Sequence, residues 1–101
     1  MTTQAKAYII AEVEVHDAEG FEAYRSDVAP MIAAFGGRYL VRGGAIEALE
    51  GEAPTRRVVV IEFPSKGAAE TFWHSEEYRP VAALRHQSAH SRIYMIEGVV
   101  P

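Results

Sequence analysis

Alternating and β-branched apolar residues predict four β-strands along the chain. In AYIIAEVEV, at residues 7–15, side chains alternate between two faces with a period of two, which is typical of a strand. Shorter strands are predicted at 38–42 and 92–98. The strongest pattern is RRVVVIEF at 56–63, because β-branched residues fit a pleated sheet.

The segment after the first strand has the spacing of an amphipathic helix. Asp17 is a predicted N-cap, and Gly36 falls where the helix is expected to end in a left-handed conformation. Pro30 lies inside the pattern and is expected to kink or restart the helix, because proline has no N–H to donate. The predicted buried stripe consists of Phe21, Tyr24, Val28, Ile32 and Phe35.

A second helical region follows the third strand. Ser65 is a predicted N-cap for residues 66–74, which place Ala69 and Phe72 on one side together with Trp73. Ser75 is expected to start a further segment in which Pro80 occupies the first helical position.

The order strand, helix, strand, strand, helix, strand predicts an α+β fold of the ferredoxin-like βαββαβ type. In that fold a four-stranded antiparallel sheet carries its helices on one face. The predicted strands are apolar on both faces, however, and helices cover only one. An exposed apolar patch usually marks an interface, so the second face predicts a homodimer. The alternative is a solvated face that tolerates valine. The uncovered set is Ile10, Val58, Val60, Tyr94 and Ile96.

Composition narrows the classes of partner. The 101 residues suit one domain, 1–101, and the net charge of −4 gives no electrostatic basis for binding nucleic acid or an anionic membrane. Cysteine is absent, which excludes disulfides and thiolate chemistry. The N-terminal apolar stretch is interrupted by Glu12 and Glu14, so neither a signal peptide nor a membrane span is predicted and a cytoplasmic location is expected.

The stretch FGGRYLVRGG, at residues 35–44, raises the question of a phosphate-binding loop. Its first glycines follow a helix, whereas a phosphate loop precedes one, and no G-x-G-x-x-G pattern is present. We therefore interpret it as a helix end, an edge strand and a bulge at Gly43-Gly44. Arg38 and Arg42 are expected to share a strand face with Leu40, where they either hold a small carboxylate or guard the sheet edge.

The histidines do not predict a metal site. His86 and His90 are four residues apart, which would place them on one helix face, but Gln87 stands where an H-E-x-x-H zinc site has glutamate. A third ligand would have to come from elsewhere, such as His74. We predict neither a metal nor a cofactor.

Glu62 is the candidate for general acid–base chemistry. It stands near the end of an apolar strand, where partial burial would raise the pKa of its carboxyl group. The competing interpretation is a structural ion pair with an arginine such as Arg57 or Arg85. Tyr24, Trp73 and Tyr78 either line a pocket or fill the core.

The pieces GGRYLVRGG, RRVVVIEFPS and AAETFWHSEEYRP together resemble the domain of unknown function 1330 family, over Ala7 to Gly98. The resemblance implies a dimeric α+β barrel, in which two ferredoxin-like sheets pack across a two-fold axis. That superfamily includes cofactor-free monooxygenases, muconolactone-type isomerases, haem enzymes and small-ligand binders, so the resemblance implies a fold without a reaction. Residues that match the family pattern are Tyr24, Gly36, Gly37, Leu40, Gly43, Glu62, Ser75, Tyr78 and Arg85.

Two functional hypotheses follow, and a third is an interaction or stress protein without a specific ligand. The first is a homodimer that binds a small, partly apolar metabolite. The second is a cofactor-free oxygenase or isomerase acting on an aromatic or enolisable acid, with Glu62 or a histidine as base and Arg42 or Arg85 as anion clamp. The predicted ligand-binding residues are Tyr24, Arg42, Glu62, Trp73, Tyr78 and Arg85.

Overall fold

The computed structural model describes residues 4–101. Within these residues the chain folds into four strands and three helices in an α+β arrangement, which confirms the predicted ferredoxin-like order. In chain order these are β1 (Ala7–Val15), α1 (Ala18–Ala34), β2 (Arg38–Arg42), β3 (Arg57–Phe63), α2 (Lys66–Trp73), α3 (Tyr78–Ser88) and β4 (Ala89–Glu97). The second helical region consists of two helices, as the further segment predicted after Ser75 implies.

The strands form one antiparallel sheet in the order β2-β3-β1-β4, and the core lies between one face of this sheet and the helices. Ile9 of β1 lies opposite Ile61 of β3, and both are buried in that core. α1 packs mainly against α3. Among residues 4–101, no helix is long and apolar enough to cross a membrane.

The predicted helix signals lie where the structure has helix ends. The Asp17 carboxylate accepts a hydrogen bond from the Gly20 N–H at 3.2 Å. The Ser65 hydroxyl accepts one from the Ala68 N–H at 3.1 Å. Gly36 closes α1 with a φ of +89°, a left-handed conformation that glycine adopts at little cost.

The expected break at Pro30 does not occur, because α1 is one continuous helix from Ala18 to Ala34. The missing N–H would have bonded to the carbonyl of Ser26, and both Ser26 and Pro30 are exposed. Water can therefore satisfy that carbonyl, and the buried face of the helix remains intact.

The bulge lies earlier than predicted, between Tyr39 and Val41 within β2. Arg38 pairs with Glu62 on the sheet face away from the helices, whereas Arg42 pairs with Val59 on the helix side. The expectation that both arginines share a face was wrong, since one extra residue in a strand reverses the side on which every later side chain lies.

The last helix and strand meet without a loop. α3 ends at Ser88 and β4 begins at Ala89, so His86 lies on the helix and His90 on the strand. The prediction that these histidines share one helix face was wrong.

Ser75 stands before the next helix as predicted, since its hydroxyl accepts a hydrogen bond from the Tyr78 N–H at 3.2 Å. Pro80 is the third residue of α3, however, and not the first.

The sheet face away from the helices, which we call the open face, has apolar residues at its centre, as the strand pattern predicted, and also carries the charged residues Glu12 and Glu62. Tyr94 and Ile96 on β4 are 43% and 50% exposed, and Val41 on β2 is 41% exposed. Ile10 pairs with Val60 and with Tyr94, which places the centre of the open face on the three adjoining strands β3, β1 and β4.

Candidate ligand-binding cavity

A cavity of about 50 Å³, partly open to solvent, lies between α1 and the sheet at the edge of the core. It is larger than the roughly 10–15 Å³ that one water molecule needs. Its wall is mostly apolar and comes from β1, β3, β4 and the inner side of α1. The apolar lining residues are Ile9, Ala11, Val13, Phe21, Val28, Ile32, Val59, Ile61, Phe72 and Ile93.

Three polar side chains from the helices meet at this core cavity. The hydroxyl oxygens of Tyr24 and Tyr78, which we call the tyrosine pair, are 3.1 Å apart. The Arg85 Nη2 atom donates to the Tyr78 hydroxyl oxygen at 3.4 Å. The Arg85 guanidinium carbon lies 5.8 Å from the ring centres of Tyr24 and of Trp73, within the range of a cation–π interaction.

Arg85 is buried, with 6% of its surface exposed, and among the described residues its Nε atom has no hydrogen-bond partner. Guanidinium groups carry donors only and remain charged at any physiological pH. The cavity therefore contains a buried positive charge whose hydrogen-bonding capacity is only partly used.

The Tyr24 hydroxyl is held in its neutral form. Burial raises the pKa of Tyr24 well above its ordinary value of 10.0, the adjacent Tyr78 raises it further, and Arg85 opposes the change. Tyr24 therefore acts at neutral pH as a hydrogen-bond donor or acceptor and does not ionise.

Three more arginines, which we call the arginine cluster, lie along the cavity on other elements: Arg25 on α1, Arg42 on β2 and Arg57 on β3. Burial lowers the pKa of Arg57, and the like charges of Arg25 and Arg42 lower it further. Arg25 pairs with Glu22 at 3.2 Å, whereas the buried Nε atom of Arg57 has no partner among residues 4–101. The Arg42 guanidinium carbon lies 5.0 Å from the centre of the Tyr39 ring.

Trp73, at the end of α2, separates the core cavity from a second, more open depression that we call the outer cleft. The outer cleft has a volume of about 250 Å³ and contains His74 and His86. Tyr78 and Arg85 border both spaces, so the histidines lie on the far side of these two residues from the core cavity.

Glu62 does not face the cavity. It lies on the open face, where its carboxylate bonds to the Arg38 Nε atom at 2.9 Å and lies 3.5 Å from the Lys6 Nζ atom. Desolvation raises the pKa of Glu62, but the hydrogen bond and charge of Arg38, with those of Lys6, outweigh it and lower the pKa below 4.5. Of the two interpretations of Glu62, the ion pair therefore holds and the raised pKa does not. Its partner is Arg38, and neither Arg57 nor Arg85. The strand pattern could not show that Arg38 would lie on this face.

Of the six predicted ligand-binding residues, the structure brings five to one cavity: Tyr24, Arg42, Trp73, Tyr78 and Arg85. Sequence reasoning missed Arg25, Arg57 and Tyr39. A signal for Arg57 was present, because its strand parity is opposite to that of Val58 and Val60, which were predicted to lie on the uncovered face. Arg25 follows Tyr24 on α1, but the helical spacing alone did not show that its side chain would reach the cavity.

Among residues 4–101, no group of three or more histidine, aspartate or glutamate side chains is arranged to hold a metal ion. The His90 ring instead lies 5.0 Å from the ring of His16.

Residues 6–99 match the family described as domain of unknown function (DUF1330). The chain belongs to the DUF1330 family. The match covers both the core cavity and the open face, so each is part of the DUF1330 region. No curated protein shows significant similarity to this DUF1330 chain.

Solved structures with the same fold include a protein of unknown function from Rhodopseudomonas palustris. It is 20% identical, with a TM-score of 0.76, over 99% of the DUF1330 chain and 87% of its own. The cofactor-independent oxygenase SnoaB from Streptomyces nogalater is 14% identical, with a TM-score of 0.61, over 91% of each chain. A hypothetical protein from Arabidopsis thaliana is 15% identical, with a TM-score of 0.61, over 95% and 88% of the two chains. At these identities the likeness shows the ferredoxin-like α+β fold of the single chain alone.

Proposed function

We propose that this DUF1330 protein is a homodimer that binds a small, partly apolar metabolite in the core cavity. The observation that carries the proposal is the cavity itself, which combines an apolar wall with a few polar groups from separate elements. Ligand sites in proteins have this composition, because the wall contributes affinity and the polar groups fix orientation. The cytoplasmic location expected from the sequence stays a prediction.

The binding test uses protein purified rapidly and without additives. Native mass spectrometry is expected to show a retained small molecule, and titration with a panel of small aromatic compounds should change the emission of Trp73, the chain's one tryptophan. Ala11→Leu places a larger side chain in the cavity and should abolish both signals. Ala33→Leu, on the exposed side of α1, serves as the control.

Retention of both signals by Ala11→Leu would show that the ligand binds elsewhere. A wild-type protein that retains nothing and responds to no compound would contradict the binding function. In that case an interaction protein without a specific ligand becomes the better hypothesis.

The homodimer rests on the open face. Tyr94 and Ile96 are exposed there, and Leu49 in the loop of residues 43–56 is 91% exposed. Exposed apolar surface of this kind is typical of a protein interface. A second copy of the chain is the partner we propose, since an apolar sheet face can pack on an equivalent face related by two-fold symmetry. Sedimentation at micromolar concentration is expected to show twice the chain mass of 11.1 kDa.

The donors around the tyrosine pair also favour a second candidate, a cofactor-free enzyme that stabilises an enolate oxygen. Such an enzyme needs a base at the cavity. The lining contributed by residues 4–101 contains no carboxylate and no histidine. We therefore rank binding above catalysis. Turnover of an enolisable aromatic acid by the purified protein under air, without added cofactor, would reverse that order.

A further inference from the structure

The core cavity has a sign of charge opposite to that of the whole molecule. The chain has a net charge of −4, yet four arginines line the cavity, and the described residues contribute neither aspartate nor glutamate to its wall. Arginines in a low-dielectric space create a positive potential that attracts anions. The four are Arg25, Arg42, Arg57 and Arg85.

Arg85 is the most deeply buried of these four charges. Only 6% of its surface is exposed to solvent, and no carboxylate within residues 4–101 pairs with it. Burying a charge without a counter-charge is destabilising, and rings 5.8 Å away offset only part of that cost. An anion in the cavity would supply both the missing charge and a partner for the Nε–H group.

The tyrosine pair adds a further donor. Arg85 can only donate, so the Tyr78 hydroxyl oxygen is the acceptor of their 3.4 Å bond. The 3.1 Å bond between Tyr24 and Tyr78 uses one of the pair's two hydroxyl hydrogens. Whichever tyrosine donates in that bond, the other hydrogen is left for a ligand. The polar groups next to Arg85 therefore offer donors, and the matching ligand group is an acceptor.

We propose that the cavity selects a small aromatic or alicyclic carboxylate, whose carboxylate group accepts hydrogen bonds from Arg85 and from the tyrosine pair. The core cavity of about 50 Å³ is smaller than such a ring, so the apolar wall beside Trp73 has to open to admit it. The arginine cluster attracts the anion. This inference rests on the proposed binding function and specifies its ligand class.

The test compares benzoate with benzamide, which have nearly the same shape and differ in charge. Binding to the wild-type protein is followed by Trp73 fluorescence and by calorimetry. Benzoate is expected to bind about 10- to 100-fold more tightly, since hydrogen bonds to charged groups contribute that much. The variant Arg85→Met keeps much of the side-chain volume and should bring the benzoate affinity close to that of benzamide.

A stability measurement distinguishes a ligand-binding arginine from a structural one. Without ligand, Arg85→Met is expected to have a urea midpoint equal to or above that of the wild type, because the unpaired buried charge is gone. A purely structural Arg85 would give a lower midpoint. Arg38→Met is the matched control: it removes an arginine on the open face and should leave benzoate binding unchanged.

Two further variants test the proposal in the event that Arg85→Met does not fold. Tyr24→Phe removes one hydroxyl and keeps the ring, and it should weaken benzoate binding about fivefold. Arg57→Gln should slow benzoate association, because part of the attracting charge is lost.

Equal affinity for benzoate and benzamide would overturn the carboxylate inference and leave the binding function standing. The same conclusion would follow if the protein bound neither probe but native mass spectrometry showed a retained neutral molecule. If neither probe binds and nothing is retained, both proposals fail.

Discussion

Gly37 shows how closely the backbone after α1 approaches the core. A methyl group at this position would lie 2.7 Å from Phe63 Cε1 and 2.8 Å from Ile32 Cγ2, both of which belong to buried side chains. At Gly44, by contrast, an added methyl group would meet nothing within 4 Å. Of these two positions, only position 37 requires glycine for packing.

We therefore expect Gly37→Ala to lower the free energy of unfolding by about 1–3 kcal/mol, because the added methyl group overfills a packed core. Gly44→Ala should change it by less than about 1 kcal/mol. Urea denaturation of both variants measures the difference. Equal midpoints would show that Phe63 moves aside at no cost.

Glu62 makes the stability of the fold depend on pH in the acidic range. Its pKa in the folded protein lies below 4.5, so the ion pairs with Arg38 and Lys6 stabilise the fold fully above that value. Their contribution is lost as the pH falls through the lower folded-state pKa.

The expected result is a smaller loss of stability in Glu62→Gln than in the wild type as the pH falls from about 5 to about 3. Urea midpoints over a pH series provide the measurement. Glu47→Gln is the control, because it removes an exposed carboxylate that forms no ion pair among residues 4–101. A wild-type slope in Glu62→Gln would mean that the two ion pairs contribute nothing.

At the scale of elements, α2 links a capping hydroxyl to the cavity wall. Its first turn is fixed by Ser65 and its last residue is Trp73, only eight residues later. A helix this short depends on its caps and its packing, because its own hydrogen bonds are few. The position of Trp73 therefore depends on the opposite end of the helix.

Ser65→Ala should destabilise the protein by about 1 kcal/mol, since the Ala68 N–H loses its partner. It should also shift the emission of Trp73 in the ligand-free protein. Ser26→Ala, at an exposed position in the middle of α1, is the control and should do neither. If Ser65→Ala is destabilised as expected but the emission of Trp73 does not change, packing alone holds the end of α2 in place.

The sequence predicted element types better than the details that build the cavity. Asp17, Ser65 and Gly36 have local roles, so their residue types were informative in isolation. The bulge in β2 was placed several residues late, because glycine marked a possible irregularity but the pairing with β3 decides where one occurs. That single error put Arg38 and Arg42 on one face, and Arg57 was missing from the predicted ligand-binding residues.

At the scale of the whole molecule, the sheet has helices on one face and an apolar surface on the other. Val60 lies on that second face, between Ile10 on β1 and Val41 on β2. If two copies join there, a carboxylate at this position would be buried without a partner.

Val60→Asp is therefore expected to convert a dimer into a monomer or to unfold the protein. Sedimentation combined with circular dichroism distinguishes these results. Ala23→Asp introduces the same charge at an exposed position on α1 and should leave the assembly unchanged. A wild-type monomer of 11.1 kDa at micromolar concentration would contradict the dimer.

Because side chains alternate along β3, substitutions at different positions change the two faces of the sheet independently. Arg57, Val59 and Ile61 line the cavity, whereas Val58 and Val60 belong to the open face. A saturation mutagenesis scan scored once for ligand retention and once for association should therefore show two interleaved sets of sensitive positions. Along β2 the sets should exchange parity at the bulge. If the cavity binds a ligand and the open face joins two copies, substitutions can alter what the protein binds without altering how it assembles.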